Sequence, residues 1–252
     1  IGHLTANLDP LNIYRPDFPS GLEPSYYGFE EKDMDRKIFL SGYLGFDFAT
    51  IREIITKLKN IYSGTFTSEY KHIQSSEEYL WLKDRIEDRT EMSLTLKGKR
   101  TILERLISSE IFEKFLDKKY RGSKRFGLDG SESTIPALEQ ILKRSSDHGI
   151  QDFSFACAHR GRLNILANII KKPQVQIFSE FIHGGENALS NQGSGDVKYH
   201  LGASSNRSFD GNIIHVSMAA NPSHLEAVNP IVAGKIRAKQ TIINDHSNDL
   251  VS

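Results

Sequence analysis

Residues 153–164, FSFACAHRGRLN, begin as an apolar, strand-like run, break at His159-Arg160-Gly161-Arg162, and continue as a helix-like pattern, LNILANIIKK. Such a corner suits an anion. The free N–H groups of a helix's first turn, its dipole and an adjacent guanidinium all favour negative charge in one place. In open α/β sheets, ligands collect at these carboxyl ends of strands. A second corner follows at 213–226. There an alternating, β-branched run leads into ANPSHLEAVNPIVAGKIRAKQ, where Ser223-His224-Leu225-Glu226 reads as a capping box with Pro222 before it. Between the corners, the polar, glycine-rich stretch HGGENALSNQGSGDVKY delivers His200. Its length suggests a binding loop or a lid.

These residue types admit several chemistries. His159, His200 and His224 have no spacing that forces three imidazoles to converge on zinc. No G-x-S-x-G elbow is present, and Ser223 reads as a helix cap rather than a nucleophile. Cys157 lies on the apolar side of its strand and reads as a buried, inert thiol. The stretch RGSKRFGLDG carries glycines beside Lys124, Arg125 and Asp129, but it matches no phosphate-loop pattern and reads as an ordinary loop. An anion pocket remains: His159, Arg160 and His200 can hold a carboxylate or a phosphate through charge-assisted bonds. The same histidines would equally serve to satisfy hydrogen bonds inside a core.

The elements that must position these groups are legible in outline. Residues 1–27 are rich in proline and read as irregular, with His3 at the surface. Between about 50 and 120 the pattern is helical. SSEEYLWLKDRIED opens with a capping pair, Ser75 and Glu78, and Leu103, Ile107, Ile111 and Phe115 form an apolar stripe on the last helix. A helix over 135–143 and a short one over QVQIFSEFI follow. Two strand-then-helix units predict an α/β fold with a mainly parallel, doubly wound sheet. The predicted organisation is a lead-in and helical region over 1–120, then an incomplete α/β domain over 121–252. Lys+Arg and Asp+Glu both number 32 in 252 residues, a balance unlike that of a nucleic-acid binder. A single cysteine excludes an internal disulfide and fits a reducing compartment. No apolar run reaches the roughly 18 residues of a membrane span.

Four strings in register, KRFGLDGSESTIPAL, AHRGRLNILAN, SGDVKYHLG and ANPSHLEAVNPIVAGKIRAKQ, resemble the thiamine-diphosphate-dependent first component of the 2-oxoglutarate dehydrogenase complex. IGHLTANLDPL, YYGF and SEYKHI resemble that family's lead-in region. The departures are mild: Asp129 stands where the family has glutamate, Ala156-Cys157 where it has Gly-Met, and Lys71 where it has methionine.

The resemblance implies oxidative decarboxylation of 2-oxoglutarate in the tricarboxylic acid cycle, with succinyl transfer to a lipoyl group on the second component. It also implies thiamine diphosphate with Mg²⁺, a homodimer, and a bacterial cytoplasm or a mitochondrial matrix. His159 and His200 match histidines that recognise the substrate and assist its reaction, and Ser223 matches a substrate-contacting serine. Arg160 and His200 match cofactor contacts, with Leu225 an apolar one. The metal-binding Gly-Asp motif is expected beyond Ser252, so the resemblance implies a fragment inactive on its own. The alternative is a non-catalytic α/β interaction module that has lost the metal site. Within the enzyme class, the rival is a relative that acts on a different 2-oxo acid.

Overall fold

The structure, a computed structural model, describes residues 2–13, 18–88, 94–183, 197–221 and 224–252. The chain divides into two compact units, Ile1–Ser93 and Leu94–Ser252.

In the first unit, β1 (Lys37–Phe39) and β2 (Phe48–Thr50) pair antiparallel, with the rings of Phe39 and Phe48 5.1 Å apart. Strand β2 runs directly into α1 (Ile51–Tyr62) through a reciprocal capping box. Thr50 Oγ1 accepts from the Glu53 N–H at 3.2 Å, and Glu53 Oε2 accepts from the Thr50 N–H at 2.8 Å. Helix α2 (Ser76–Glu87) starts at the expected cap, where Ser75 Oγ accepts from the Glu78 N–H at 3.3 Å. Tyr62 joins the two helices by donating its hydroxyl proton to the buried Glu87 carboxylate at 2.8 Å. His3 and His72, from two separate lead-in strings, line one cavity of about 380 Å³ beside this pair. His3, expected at the surface, is therefore half-buried.

The second unit holds α3 (Leu96–Lys119), α4 (Thr134–Asp147), β3 (Asp152–Phe155), α5 (Arg162–Asn168), α6 (Gln174–His183), β4 (Ala203–Phe209), β5 (Asn212–Met218) and α7 (Leu225–Ile242). It is mixed α/β, as the pattern predicts. Helix α3, grouped by sequence with the lead-in, packs on α4 and α5 in this unit.

The sheet order is β3-β5-β4. Strands β3 and β5 are parallel, with Asp152 opposite His215 and Phe155 opposite Met218. On the other edge of β3, residues 250–252 also run parallel: Gln151 N–H donates to Leu250 O at 2.7 Å and Ser154 N–H to Ser252 O at 2.8 Å. The departure from a parallel sheet is β4, which the sequence reading missed. It pairs antiparallel with β5 because only Asp210 and Gly211 join them, both at positive φ (50° and 96°), and a two-residue loop admits no other direction.

Two further expectations change. The helix read through LNILANIIKK stops at Asn168. Arg207 and Ser205 of β4 donate to the carbonyls of Ile169 and Ile170, and Lys171 turns to φ 62°, so the helical ladder cannot continue. The stripe Leu103, Ile107, Ile111 and Phe115 lies outside the buried core of this unit, which takes Ser109, Phe112 and Leu116 from α3 instead. A polar demand sets that rotation. Asn164, buried in α5, donates to Ser109 O at 3.2 Å, to Ser109 Oγ at 2.8 Å and to Glu113 Oε1 at 2.8 Å. A helix turned to bury the stripe would leave those groups unpaired.

Candidate functional site

Both strand-to-helix corners emerge on one edge of the sheet, because β3 and β5 are parallel, adjacent and in register at their carboxyl ends. The first corner carries His159 and Arg160. Gly161 makes the turn possible. It sits at φ 68°, donates its N–H to Phe126 O at 2.7 Å, and faces Leu128 so closely that a Cβ would lie 2.2 Å from Leu128 Cδ2. Both the left-handed backbone and the contact with Leu128 require glycine. The KRFGLDG stretch is therefore more than a plain loop: it lies against this corner. Glu113 fixes it, accepting from the Leu128 N–H at 2.7 Å on the same oxygen that serves Asn164.

His159 and Arg160 border one cavity of about 540 Å³, which Glu113, Asp129 and Glu132 also line. Two of these carboxylates already have donors: Glu113, as described, and Glu132, which accepts from the Gly130 N–H at 3.1 Å. Arg160 is exposed and His159 half-buried, its ring 4.4 Å from that of Phe126.

His200 is exposed and does not line that cavity. It is tied to the same sheet edge by other means. Its carbonyl accepts from the Asn221 N–H at 3.2 Å, and the ring of the preceding residue, Tyr199, packs edge-on against Phe126 at 5.0 Å. The segment after it presses on the end of β5, since a Cβ on Gly202 would meet Met218 O at 2.7 Å and the Ala220 nitrogen at 2.9 Å. His159 and His200 are thus joined through two aromatic rings. Leu225 begins α7 and is half exposed. His224 is its N-cap residue, with its side chain turned toward Glu226. Ser223 lies outside the described residues.

The residue that the sequence reading passed over is Arg162. It is fully buried. Its Nη1 donates to Cys157 O at 2.6 Å, and its Nη2 donates to Leu201 O at 2.8 Å and to Ala219 O at 2.7 Å. One guanidinium therefore ties the end of β3, the residue after His200 and the end of β5. Burial pushes its pKa down, yet arginine keeps its charge in proteins, and three carbonyl dipoles replace its lost water. Asn221, also missed, donates its side-chain amide to the same Cys157 carbonyl. No periodicity marks these residues, because their partners are main-chain oxygens from distant segments. Burial pushes the Cys157 thiol up, against the pull of the Arg162 charge, which keeps it protonated at neutral pH as an inert core group.

This arrangement offers an anion two donors, His159 and Arg160, at the mouth of a cavity, and a third, His200, across an aromatic bridge. That donor set fits the diphosphate of a phosphorylated cofactor or a carboxylate substrate. Among the described residues, no group of three or more His, Cys, Asp or Glu side chains is placed to hold a metal ion, so these residues do not fit Mg²⁺ by themselves. No helix among them is long and apolar enough to cross a membrane.

No protein-family model matches the chain. Over 250 residues, 98% of its length, the chain is 51% identical to a protein of Brucella anthropi named 2-oxoglutarate dehydrogenase E1 component. Proteins of Brucella canis and Brucella suis with the same name are 50% identical over the same share of the chain. The chain spans 25% of the length of each of these relatives. The resemblance carried by the four strings therefore extends to curated homologues over nearly the whole chain.

Proposed function

We propose that this chain supplies one wall of the active site of a 2-oxoglutarate dehydrogenase E1 component, the site at which thiamine diphosphate binds. The observation that carries the reading is the in-register parallel pairing of β3 and β5. It puts His159 and Arg160 at the sheet edge where β5 ends, and the antiparallel pairing of β4 with β5 brings His200, just before β4, to the same edge. The substrate is 2-oxoglutarate and the acceptor a lipoyl group on the succinyltransferase second component. The working enzyme is a homodimer in a bacterial cytoplasm or a mitochondrial matrix, with Mg²⁺ held by ligands from outside the described residues.

When bound, thiamine diphosphate supplies a carbanion that adds to the ketone and an electron sink for the departing carboxylate. The residues of this chain do the placing. Arg160 presents N–H donors to the diphosphate, His200 adds a polar contact to the cofactor, and Leu225 offers an apolar one. His200 donates to a substrate carboxylate and holds the oxo acid in register with the cofactor, while His159 moves a proton at the reacting oxygen. Ser223 adds a substrate contact in this reading. Arg162 and Asn221 do not touch substrate; they hold the backbone on which the two histidines stand.

Replacing His200→Ala in the full-length enzyme tests the assignment. The expected result is a fall of about 100-fold or more in kcat/KM for 2-oxoglutarate. Unchanged turnover of 2-oxoglutarate would remove His200 from the substrate site.

A further inference from the structure

We infer that Lys198 and Tyr199 are positioning residues that set both site histidines through a cation–aromatic ladder. The inference rests on the proposed function for the histidines themselves. The geometry is continuous. Tyr120 stacks on Phe181 with ring centroids 4.5 Å apart and planes within 14°. The Lys198 ammonium lies 4.8 Å from the Phe181 ring centroid and 4.8 Å from that of Tyr199. Tyr199 meets Phe126 at 5.0 Å, and Phe126 meets His159 at 4.4 Å. His200 is the next residue in the chain after Tyr199. One end of the ladder is therefore the His159 ring, and its middle is the peptide that carries His200.

Three observations make this more than ordinary packing. Lys198 is only 5% exposed and Tyr199 only 1%, so an ammonium has been taken out of water beside the site. Burying a charge is unfavourable against an apolar side chain of the same length, and ring faces offset that only when the charge sits over them. The ammonium thus holds the 3-10 turn Val197–Tyr199 at a defined place. The Tyr199 hydroxyl also donates to Lys124 O, which fixes the KRFGLDG stretch to the same turn. Finally, Phe126 has φ 39°, a left-handed backbone that a bulky side chain adopts only when its surroundings impose it. Phe126 is held there by its ring between Tyr199 and His159 and by its carbonyl, which accepts from the Gly161 N–H.

The test uses the full-length enzyme and the variants Lys198→Met, Lys198→Arg, Tyr199→Phe and Tyr199→Leu, with His200→Ala as reference. Lys198→Met and Tyr199→Leu are expected to lower kcat/KM for 2-oxoglutarate by about tenfold or more, the scale of a small misplacement of a reacting group. Lys198→Arg, which keeps a cation over the rings, should recover most of that loss, and Tyr199→Phe, which keeps the ring but not the bond to Lys124 O, should recover part of it. Hydrogen exchange of the peptide covering 197–202 gives a readout apart from activity. It should quicken in Lys198→Met and return in Lys198→Arg, with exchange in β3 and β5 unchanged.

Wild-type exchange and kcat/KM in Lys198→Met would overturn the inference. So would faster exchange throughout β3 and β5 with no rescue by arginine, the mark of a merely structural lysine. If His200→Ala retains full activity, the functional reading fails, while the exchange data still decide whether the ladder holds the turn.

Discussion

Arg162 and Asn221 donate to one acceptor, the carbonyl oxygen of Cys157 just beyond β3. Asn221 also bonds the His200 carbonyl through its own N–H, and Arg162 reaches Leu201 O on the other side of the same loop. The bonds close a circuit around the backbone of His200. A parallel sheet ordinarily leaves its carboxyl edge open for ligands, and here a buried guanidinium and an amide bind that edge together. The site histidines are consequently carried on backbone fixed from three segments.

Replacing Arg162→Met should destabilise the second unit by on the order of 3 kcal/mol, since the Leu201 and Ala219 carbonyls lose this donor and Cys157 O keeps only the Asn221 amide. Arg162→Lys should recover little, because an ammonium cannot span three acceptors as a planar guanidinium does. Urea denaturation followed by circular dichroism measures both. A loss of under about 1 kcal/mol for the methionine variant would show that solvent satisfies those carbonyls equally well.

Gly161→Ala combines two costs, the left-handed backbone and the collision with Leu128. The expected loss is about 2–4 kcal/mol, of which the backbone accounts for about 1–2. Leu128→Ala relieves only the collision. The double variant should therefore be less destabilised than the sum of the two single losses, by about 1 kcal/mol. Strict additivity in the same denaturation measurement would mean that Leu128 moves aside freely.

Asp245 gives the fold a pH dependence. Its carboxylate accepts from the N–H groups of Asp249, Leu250 and Val251 at 3.0, 3.0 and 3.2 Å, holding the turn that lays residues 250–252 along β3. Desolvation pushes this carboxyl up, but the backbone donors outweigh it and leave the pKa below its ordinary value. A folded pKa below the unfolded one adds stability above the unfolded value, and that stability is lost as pH falls through the folded one. The stability gap between wild type and Asp245→Asn should accordingly be full near neutrality and shrink below the ordinary carboxylate range. A gap that stays constant from pH 7 to about 3 would contradict this account.

Much of the architecture could be read from the chain because its causes are local. The cap at Ser75, helix α4, strand β5 and the strand-to-corner break at His159 follow from side-chain spacing and turn chemistry within a few residues. The hairpin of β4 and β5 had a local signal as well, Asp210-Gly211 between alternating runs, and the sequence reading passed over it. His159, Arg160 and His200 were legible as an anion set by residue type, and the resemblance of their strings implied the roles proposed for them.

Other features depended on partners far away in the chain. Helix α3 turns Phe112 and Leu116 inward, rather than its more regular stripe, because Asn164 needs Ser109 and Glu113. Helix α5 ends at Asn168, where side chains of β4 take the carbonyls of the next two residues, Ile169 and Ile170, in place of a further helical turn. Arg162 looked like one more cation in a basic corner, yet it is the most enclosed charge in the site, since its acceptors meet only after β3 and β5 pair. Sequence by itself determined which elements form and which groups can meet an anion, because propensity, capping and charge act over short range. Tertiary structure alone decided which face each helix buries and which arginine becomes a strut, because hydrogen-bond satisfaction in a core is settled between segments that the sequence keeps apart.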